Sequence, residues 1–313
     1  MKSFRTFVVA TGSALILTSA GIDCATAAES SNATDKMNAY VGCINRLSAR
    51  AFDSESRYFS WAAKSGPTGK ERIIYGLYTI YDTADCKKNV EAANAMEPHD
   101  AALEGAATAY VNAVTTLGPL LKEADDYYTQ ENYKDDKMAK GKALHPKLVA
   151  AWDAFGVADK NLRAGVDAIN DKRKTEQLAA IEAKEGKKTR YYIEATMIDA
   201  KRMLRLANAD KPDIEAITKA VSNYEATVKG FEDANTADGG KVSSMFTSNA
   251  KSVLVTGKQL MRRIRDKVPY TSGQKMMMNP GSAWMVEGSP ARLMRDYNQL
   301  VDSYNSIAQF GIE

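Results

Sequence analysis

Histidine is nearly absent from this chain of 313 residues: His99 and His145 are the only two. Two isolated imidazoles cannot supply a histidine cluster for zinc, and neither falls in a spacing that assembles a catalytic triad. Beyond the N-terminus no run approaches the roughly 20 apolar residues that a membrane-spanning helix requires. An excess of one charge is missing as well, since 42 basic residues stand against 39 acidic ones for a net charge of +3. That balance is too even to mark a nucleic-acid surface. Period-two alternation, the mark of half-buried strands, hardly occurs, whereas helical periodicity recurs from end to end.

The chain opens with "MKSFRTFVVATGSALILTSAGIDCATAAES", in which Lys2 and Arg5 precede an apolar run followed by small residues. This is the pattern of a secretory signal peptide, expected to cover residues 1–28. The small-residue rule fits cleavage after Ala27, with Ala25, or after Ala28, with Thr26. Cys24 raises the alternative of a lipid-anchored envelope protein. Asp23, however, stands where a small residue should precede a lipidated cysteine, which argues against the anchor. The expected location is the periplasm. Loss of Lys2, Arg5 and Asp23 with the leader lowers the charge from +3 to +2, and residues 29–313 are long enough to bury one core, or two lobes that share long helices.

Two cysteines remain after cleavage, Cys43 and Cys86, an even count for an oxidising compartment. The first helix is expected over Thr34 to Ala62, with Met37, Tyr40, Val41, Ile44 and Leu47 on one stripe. "KSGPTGKE" then makes a turn and a capping box, Thr68 as N-cap and Glu71 reaching back, for a second helix carrying Ile73, Ile74, Leu77, Ile80 and Tyr81. Cys43 lies 23 residues before Gly66 and Cys86 lies 20 after it. An antiparallel hairpin therefore brings them to nearly one height, which predicts a Cys43–Cys86 disulfide. Closing a loop of this length stabilises a fold by about 4 kcal/mol in the chain-entropy account.

Further stripes predict an all-α bundle, elongated, with several long antiparallel helices. Leu103, Ala107, Tyr110, Val114 and Leu117 share a face before Gly118 and Pro119 interrupt or kink their helix. Leu148, Trp152, Phe155, Leu162, Val166 and Ile169 run through a long helix that reaches towards Leu178 and Ile181. Asp159 falls in that seam with Arg163 four residues on as its partner. Ile193, Met197, Ile198 and Leu204 define a helix that ends before Pro212, which suits the first turn of the next, running to about Phe231. Met245, Phe246, Val253, Leu254, Leu260 and Ile264 form a penultimate helix. The last carries Leu293, Tyr297, Leu300, Val301, Tyr304 and Ile307, and starts with Ser289 as cap and Pro290 at the first position. Between these two, residues 268–288 show no period, and irregular segments of that length are often functional.

The segments "GPTGKERIIYGLY", "YYTQENYKDDKMAKGKALH", "INDKRKTEQLAAIEAKEGKKTRYY", "RRIRDKVPY" and "SAWMVEGSPARLMRDYNQLVDSYN" span nearly the whole chain after the leader. Their wording resembles the YiiG-like bacterial envelope proteins, a family without an established biochemical role. Such proteins commonly look like lipoproteins, a pattern from which Asp23 departs. The resemblance supplies no catalytic residues and no cofactor.

Candidate recognition residues crowd the stretch "ADDYYTQENYKDDKMAKGKALHP", which holds Tyr127, Tyr128, Tyr133, Asp135, Asp136 and His145. Its carboxylates, with Asp125 and Asp126, offer hard oxygen ligands, but a calcium loop's glycine and spaced acids are absent and Lys134 and Lys137 oppose a cation. As a solvated helix junction the same acids pair locally, Lys122 with Asp126 and Asp136 with Lys140. His145 precedes Pro146, which marks a helix boundary or kink. Arg262 and Arg265 share a helical face suited to a phosphate or carboxylate, and Trp284 sits in the irregular segment. Met276, Met277, Met278 and Met285 suggest soft copper ligands, although three consecutive residues do not share a face. The sequence thus favours a non-enzymatic periplasmic binding or interaction protein with an envelope ligand or protein partner. A hydrolase using Asp135 or Asp136 and metal capture are the rival readings.

Overall fold

A computed structural model describes residues 24–209, 211–279 and 281–310. Residues 1–23 of the expected leader lie outside the described residues. Among those described there are nine α-helices and no named strand, as the periodicity predicts. No helix among them is long and apolar enough to cross a membrane. The chain divides into two compact units, one ending at Asn170 and the other beginning at Asp171.

The N-terminal unit contains α1 (Cys24–Phe59), α2 (Thr83–Asn94), α3 (Ala101–Thr129) and the first part of α4 (Ala139–Glu185). Its core is built on the predicted stripes: Tyr40, Leu47, Tyr110, Val114, Leu117, Leu148, Trp152, Phe155 and Leu162 are all buried. Asp159 is buried among them and accepts from Ser48 Oγ at 2.6 Å and Arg163 Nε at 2.8 Å. Both carboxylate oxygens are thereby satisfied, which is what permits a charge in the seam. Pro119 lies inside α3 without ending it. At Gly118 beside it a Cβ would stand 3.4 Å from Thr83 and 3.6 Å from Ile80, ordinary packing distances that do not require glycine.

The expected second helix is not there. Residues 70–82 run without helical structure and α2 begins only at Thr83. Only half of the capping box closes: Glu71 accepts from the Thr68 and Gly69 backbone N–H groups at 2.5 and 2.8 Å, but Thr68 Oγ1 accepts from Lys70 N–H rather than from Glu71 N–H. Gly69 also sits at φ +85°, outside helical space. The residues after the box, "RIIYGLYTIY", are β-branched or aromatic apart from Arg72, Gly76 and Leu77, types less favourable in a helix, and Gly76 breaks them further. They form a strap laid on α1 and α3. Arg50 stacks on Tyr78 at 4.1 Å, and Arg57 stacks on Tyr75 and Tyr78 at 4.8 and 4.7 Å. Arg57 Nε donates to the Gly76 carbonyl at 2.7 Å, while Asp125 accepts from Leu77 N–H at 3.0 Å. Leu77 and Ile80 are buried beneath it. The Cys43–Cys86 disulfide forms as predicted, with Cα atoms 5.4 Å apart. Its return path is this strap rather than a helix.

The C-terminal unit holds the rest of α4 with α5 (Thr189–Ala207), α6 (Ile214–Ala237), α7 (Ser244–Arg265), α8 (Ser272–Met277) and α9 (Pro290–Phe310). Ile193, Met203, Tyr224, Phe231, Phe246, Val253, Leu260, Leu293 and Leu300 form its core. Pro212 lies before the helix rather than in its first turn. Asp213 is the cap of α6, accepting from Glu215 and Ala216 N–H. Ser289 caps α9 as expected, accepting from Arg292 N–H at 3.1 Å.

Candidate functional site

The charged junction between α3 and α4 resolves into structural roles. Tyr127 and Tyr128, each 2 % exposed, point into the N-terminal core, and half-buried Tyr133 packs against it. They do not line a groove. The Tyr127 hydroxyl donates to Asp136 Oδ1 at 2.7 Å, and the same carboxylate accepts from the N–H groups of Ala139 and Lys140 at 3.1 and 2.9 Å. Asp136 is therefore the anion at the start of α4. Those bonds, the Lys140 N–H first, hold its carboxyl below the usual range. Lys122 pairs with Asp126 at 2.7 Å as predicted, but the Lys140 ammonium pairs with Glu123 at 2.9 Å instead of Asp136. Asp136 is close enough to bond the Lys140 backbone, which leaves the longer side chain free to reach back to α3. Asp135 is exposed.

His145 marks no helix boundary, because α4 starts at Ala139 and carries Pro146 within it. Its Nδ1 lies 2.9 Å from the Tyr58 hydroxyl and its Nε2 lies 3.1 Å from the Lys64 carbonyl. A carbonyl only accepts, so Nε2 carries the ring hydrogen and Nδ1 accepts from Tyr58. Burial pushes the Tyr58 hydroxyl up to about 12, which keeps it a donor. The imidazole thereby ties the turn after α1 to α4 and forms one wall of an open cavity of about 520 Å³. Ser65, Thr68, Lys70 and Lys142 also line that cavity, but neither Asp135 nor Asp136 does. Among the described residues no group of three or more His, Cys, Asp or Glu side chains is placed to hold a metal ion.

In the C-terminal unit Arg262 and Arg265 are exposed, and Arg265 makes a two-pronged ion pair with Asp266 at 2.8 and 3.0 Å. This pair holds the Asp266 carboxyl below its usual range. The arginine between them, which sequence spacing passed over, organises the irregular segment. Arg263 donates to the carbonyls of Val268 and Pro269, both at 3.3 Å, and of Glu287 at 3.0 Å, and lies 4.4 Å over the Tyr270 ring. Gly288 at φ +66° admits this approach, since a Cβ there would be 2.9 Å from Arg263 Nε. The described residues between 268 and 288 include α8 and a 3-10 turn at Ala283–Met285. Thr271 and Gln274 form a full capping box on α8. Trp284 donates from its indole N–H to the Gly281 carbonyl at 3.1 Å, and the Arg295 guanidinium sits 4.1 Å over its ring.

Residues 31–306 match the family described as "Protein of unknown function (DUF3829)". The chain belongs to the DUF3829 family. It is 42% identical over 278 residues to the Uncharacterized protein YiiG of Escherichia coli (strain K12), a match covering 87% of this chain and 78% of that protein. No solved structure matches it. The YiiG-like resemblance seen in the sequence is therefore shown.

Family membership assigns no DUF3829 residue a role, so its candidate residues rest on geometry. Tyr127, Tyr128 and Tyr133 converge with Asp136, but as core and cap; of the predicted set in this unit only His145 lines the cavity. Arg263, Lys70 and Lys142 were missed. A signal for Arg263 lay in the sequence, where "RRIR" closes a helix immediately before the unperiodic segment, at the position best placed to meet returning carbonyls. Lys70 and Lys142 could be joined only by the fold, which brings the turn after α1 onto the start of α4.

Proposed function

We propose that this DUF3829 protein is exported and works in the periplasm as a non-enzymatic interaction protein. On this reading its partner is a protein that presents an apolar face with an acidic rim. The observation that carries it is the surface of residues 268–288. Met276 is 78 % exposed, Met285 46 % and Trp284 37 %, on a segment held in place by Arg263. Aromatic, methionine and arginine side chains are the types enriched in interface centres, and a ring fixed before binding loses little entropy on association. Lys267, Lys275 and Arg295 on and beside the segment outnumber Glu287, hence the acidic rim. The disulfide suits an oxidising compartment. A hydrolase built on Asp135 and Asp136 is not supported, because Asp136 is held below the carboxylate range rather than above it and a general acid requires the opposite shift.

The test is photo-crosslinking in cells of the exported protein, with the crosslinker at Met276 or Met285 and, as controls, at exposed Val157 and Val255. Discrete adducts from the first pair only, lost when Trp284→Ala or Arg295→Glu is added, support the reading. Identical adducts from all four positions sink it. Flotation of the mature protein with phosphatidylglycerol vesicles, abolished by Met276→Ser, would instead assign the surface to a membrane. Fractionation that leaves the protein in the cytoplasm would remove the export step.

A further inference from the structure

The cavity beside His145 belongs to the N-terminal unit and plays no part in the reading above. Its polar lining is unbalanced. Lys70 and Lys142 both face it, and no acidic side chain lines it. Three other lysines of the same junction are paired, Lys122 with Asp126, Lys134 with Glu131 and Lys140 with Glu123, while Lys137 is exposed and does not line the cavity. Neither Lys70 nor Lys142 has an ion-pair partner among the described residues. The nearest acid in the turn is Glu71, whose oxygens accept from the Thr68 and Gly69 N–H groups and the Thr68 hydroxyl. That turn already organises itself around one anion, its own carboxylate. Two further backbone donors of the turn are engaged, Gly66 N–H by the Ala63 carbonyl and Lys70 N–H by Thr68 Oγ1. The charge at the cavity is therefore carried by the two lysine side chains.

Beside Lys142 on the same face of α4, one wall of the cavity is fixed. His145 is held at both nitrogens, so its ring cannot turn without breaking a bond to Tyr58 or to Lys64. Gly66, at φ +104°, lets the turn close on that ring, where a Cβ would stand 3.1 Å from Cδ2. A volume of about 520 Å³ is much larger than an inorganic anion and within the range of small-molecule sites. Two ammonium groups act as point charges with three donors each, a set that suits a dianion more than a single carboxylate.

We propose that Lys70, Lys142 and Ser65 bind the phosphate group of a sugar-sized phosphate monoester, which lies against the His145 ring and the Gly66–Pro67 turn. Isothermal titration calorimetry on the mature, disulfide-intact protein tests this with glucose 6-phosphate, glucose and glucuronate as probes. Glucose 6-phosphate should bind with an affinity that falls as salt is raised, and glucose should give no heat. Lys70→Gln and Lys142→Gln should each weaken binding about tenfold, the loss of one charge-assisted contact, while Lys88→Gln on α2 changes nothing. All three lysines are exposed, so unchanged melting of the free variants checks that they fold. No heat from glucose 6-phosphate, or equal binding by both glutamine variants and the parent, overturns the site. Equal binding of glucuronate overturns the phosphate assignment.

Discussion

Replacing Gly76 by alanine distinguishes the strap from the helix that the sequence suggested, because the two predict opposite signs. In a helix, glycine to alanine stabilises by about 1 kcal/mol through backbone entropy and propensity. In the strap, a Cβ at Gly76 runs into Thr129 Oγ1 and Asp125 Oδ1 on α3. Those atoms are not free to retreat. Asp125 Oδ1 accepts from Leu77 N–H and from the Thr129 hydroxyl, both at 3.0 Å, and so anchors the strap at its midpoint. Overpacking of this kind costs roughly 1–3 kcal/mol, and losing a hydrogen bond to a charged acceptor costs roughly 1.5–3 kcal/mol. The two overlap, because moving Asp125 relieves the first by causing the second. A net loss of about 3 kcal/mol is expected, or a fall in melting temperature of roughly 6–12 °C for a unit of this size. Urea denaturation followed by circular dichroism measures it. In an Asp125→Ala background the penalty should shrink, since one clashing oxygen and the anchor are then gone and the Thr129 hydroxyl, released from its bond to Asp125, can turn away. Stabilisation by Gly76→Ala, or a penalty indifferent to Asp125, would refute the strap as described.

The Cys43–Cys86 bond closes a sequence separation of 43 residues, and Cys43→Ser with Cys86→Ser should cost about 4 kcal/mol by loop entropy, an upper figure. A loss below about 1 kcal/mol in urea would show that the open chain is already ordered, and two alkylatable thiols in the unreduced, unfolded protein would show that the bond is absent. Lys36, 3 % exposed, donates to the carbonyls of Met96 and Pro98, each at 3.0 Å, and to half-buried Glu104; Glu104→Gln should therefore cost about 1.5–3 kcal/mol, the loss of a charge-assisted bond to a buried ammonium, whereas a change within about 0.5 kcal/mol would make the pair incidental. Lys36 and then His99 hold the Glu104 carboxyl at about 2 against an ordinary 4.5. Its contribution is accordingly complete above pH 4.5 and lost as pH falls towards 2, and Glu104→Gln should flatten this part of the stability profile.

The helices themselves were legible because each buries one stripe, and burial at every third or fourth residue shows in a single sequence. Asp159 with Arg163, Ser289 with Pro290 and the Cys43–Cys86 pair were legible for the same reason: each is a local pattern, or two local patterns joined by counting. The strap was not. "GPTGKE" carries the capping-box pattern, and Ile73, Ile74, Leu77 and Ile80 are helically spaced, so local signals pointed one way. What overrides them is tertiary. Arg50 and Arg57 on α1 offer two guanidinium faces to Tyr75 and Tyr78, and Asp125 on α3 offers an acceptor to a backbone N–H. None of these partners lies within 15 residues of the group it engages.

The same distinction explains why the crowded junction from Ala124 to Pro146 looked like chemistry. Short carboxylates at a chain reversal compete for the backbone N–H groups that a helix start leaves unbonded. Asp136 takes two such groups, and Asp125 takes one from the strap. Acids therefore accumulate where the chain turns, whether or not anything is catalysed there. An ammonium cannot serve a backbone donor, and where a lysine serves backbone carbonyls, as Lys36 does at Met96 and Pro98, those bonds are visible. A lysine held beside a cavity without an acid is consequently more informative than an aspartate beside a turn. By that measure the candidate site moves from Asp135 and Asp136 to Lys70 and Lys142, two residues that no pattern in the chain connects.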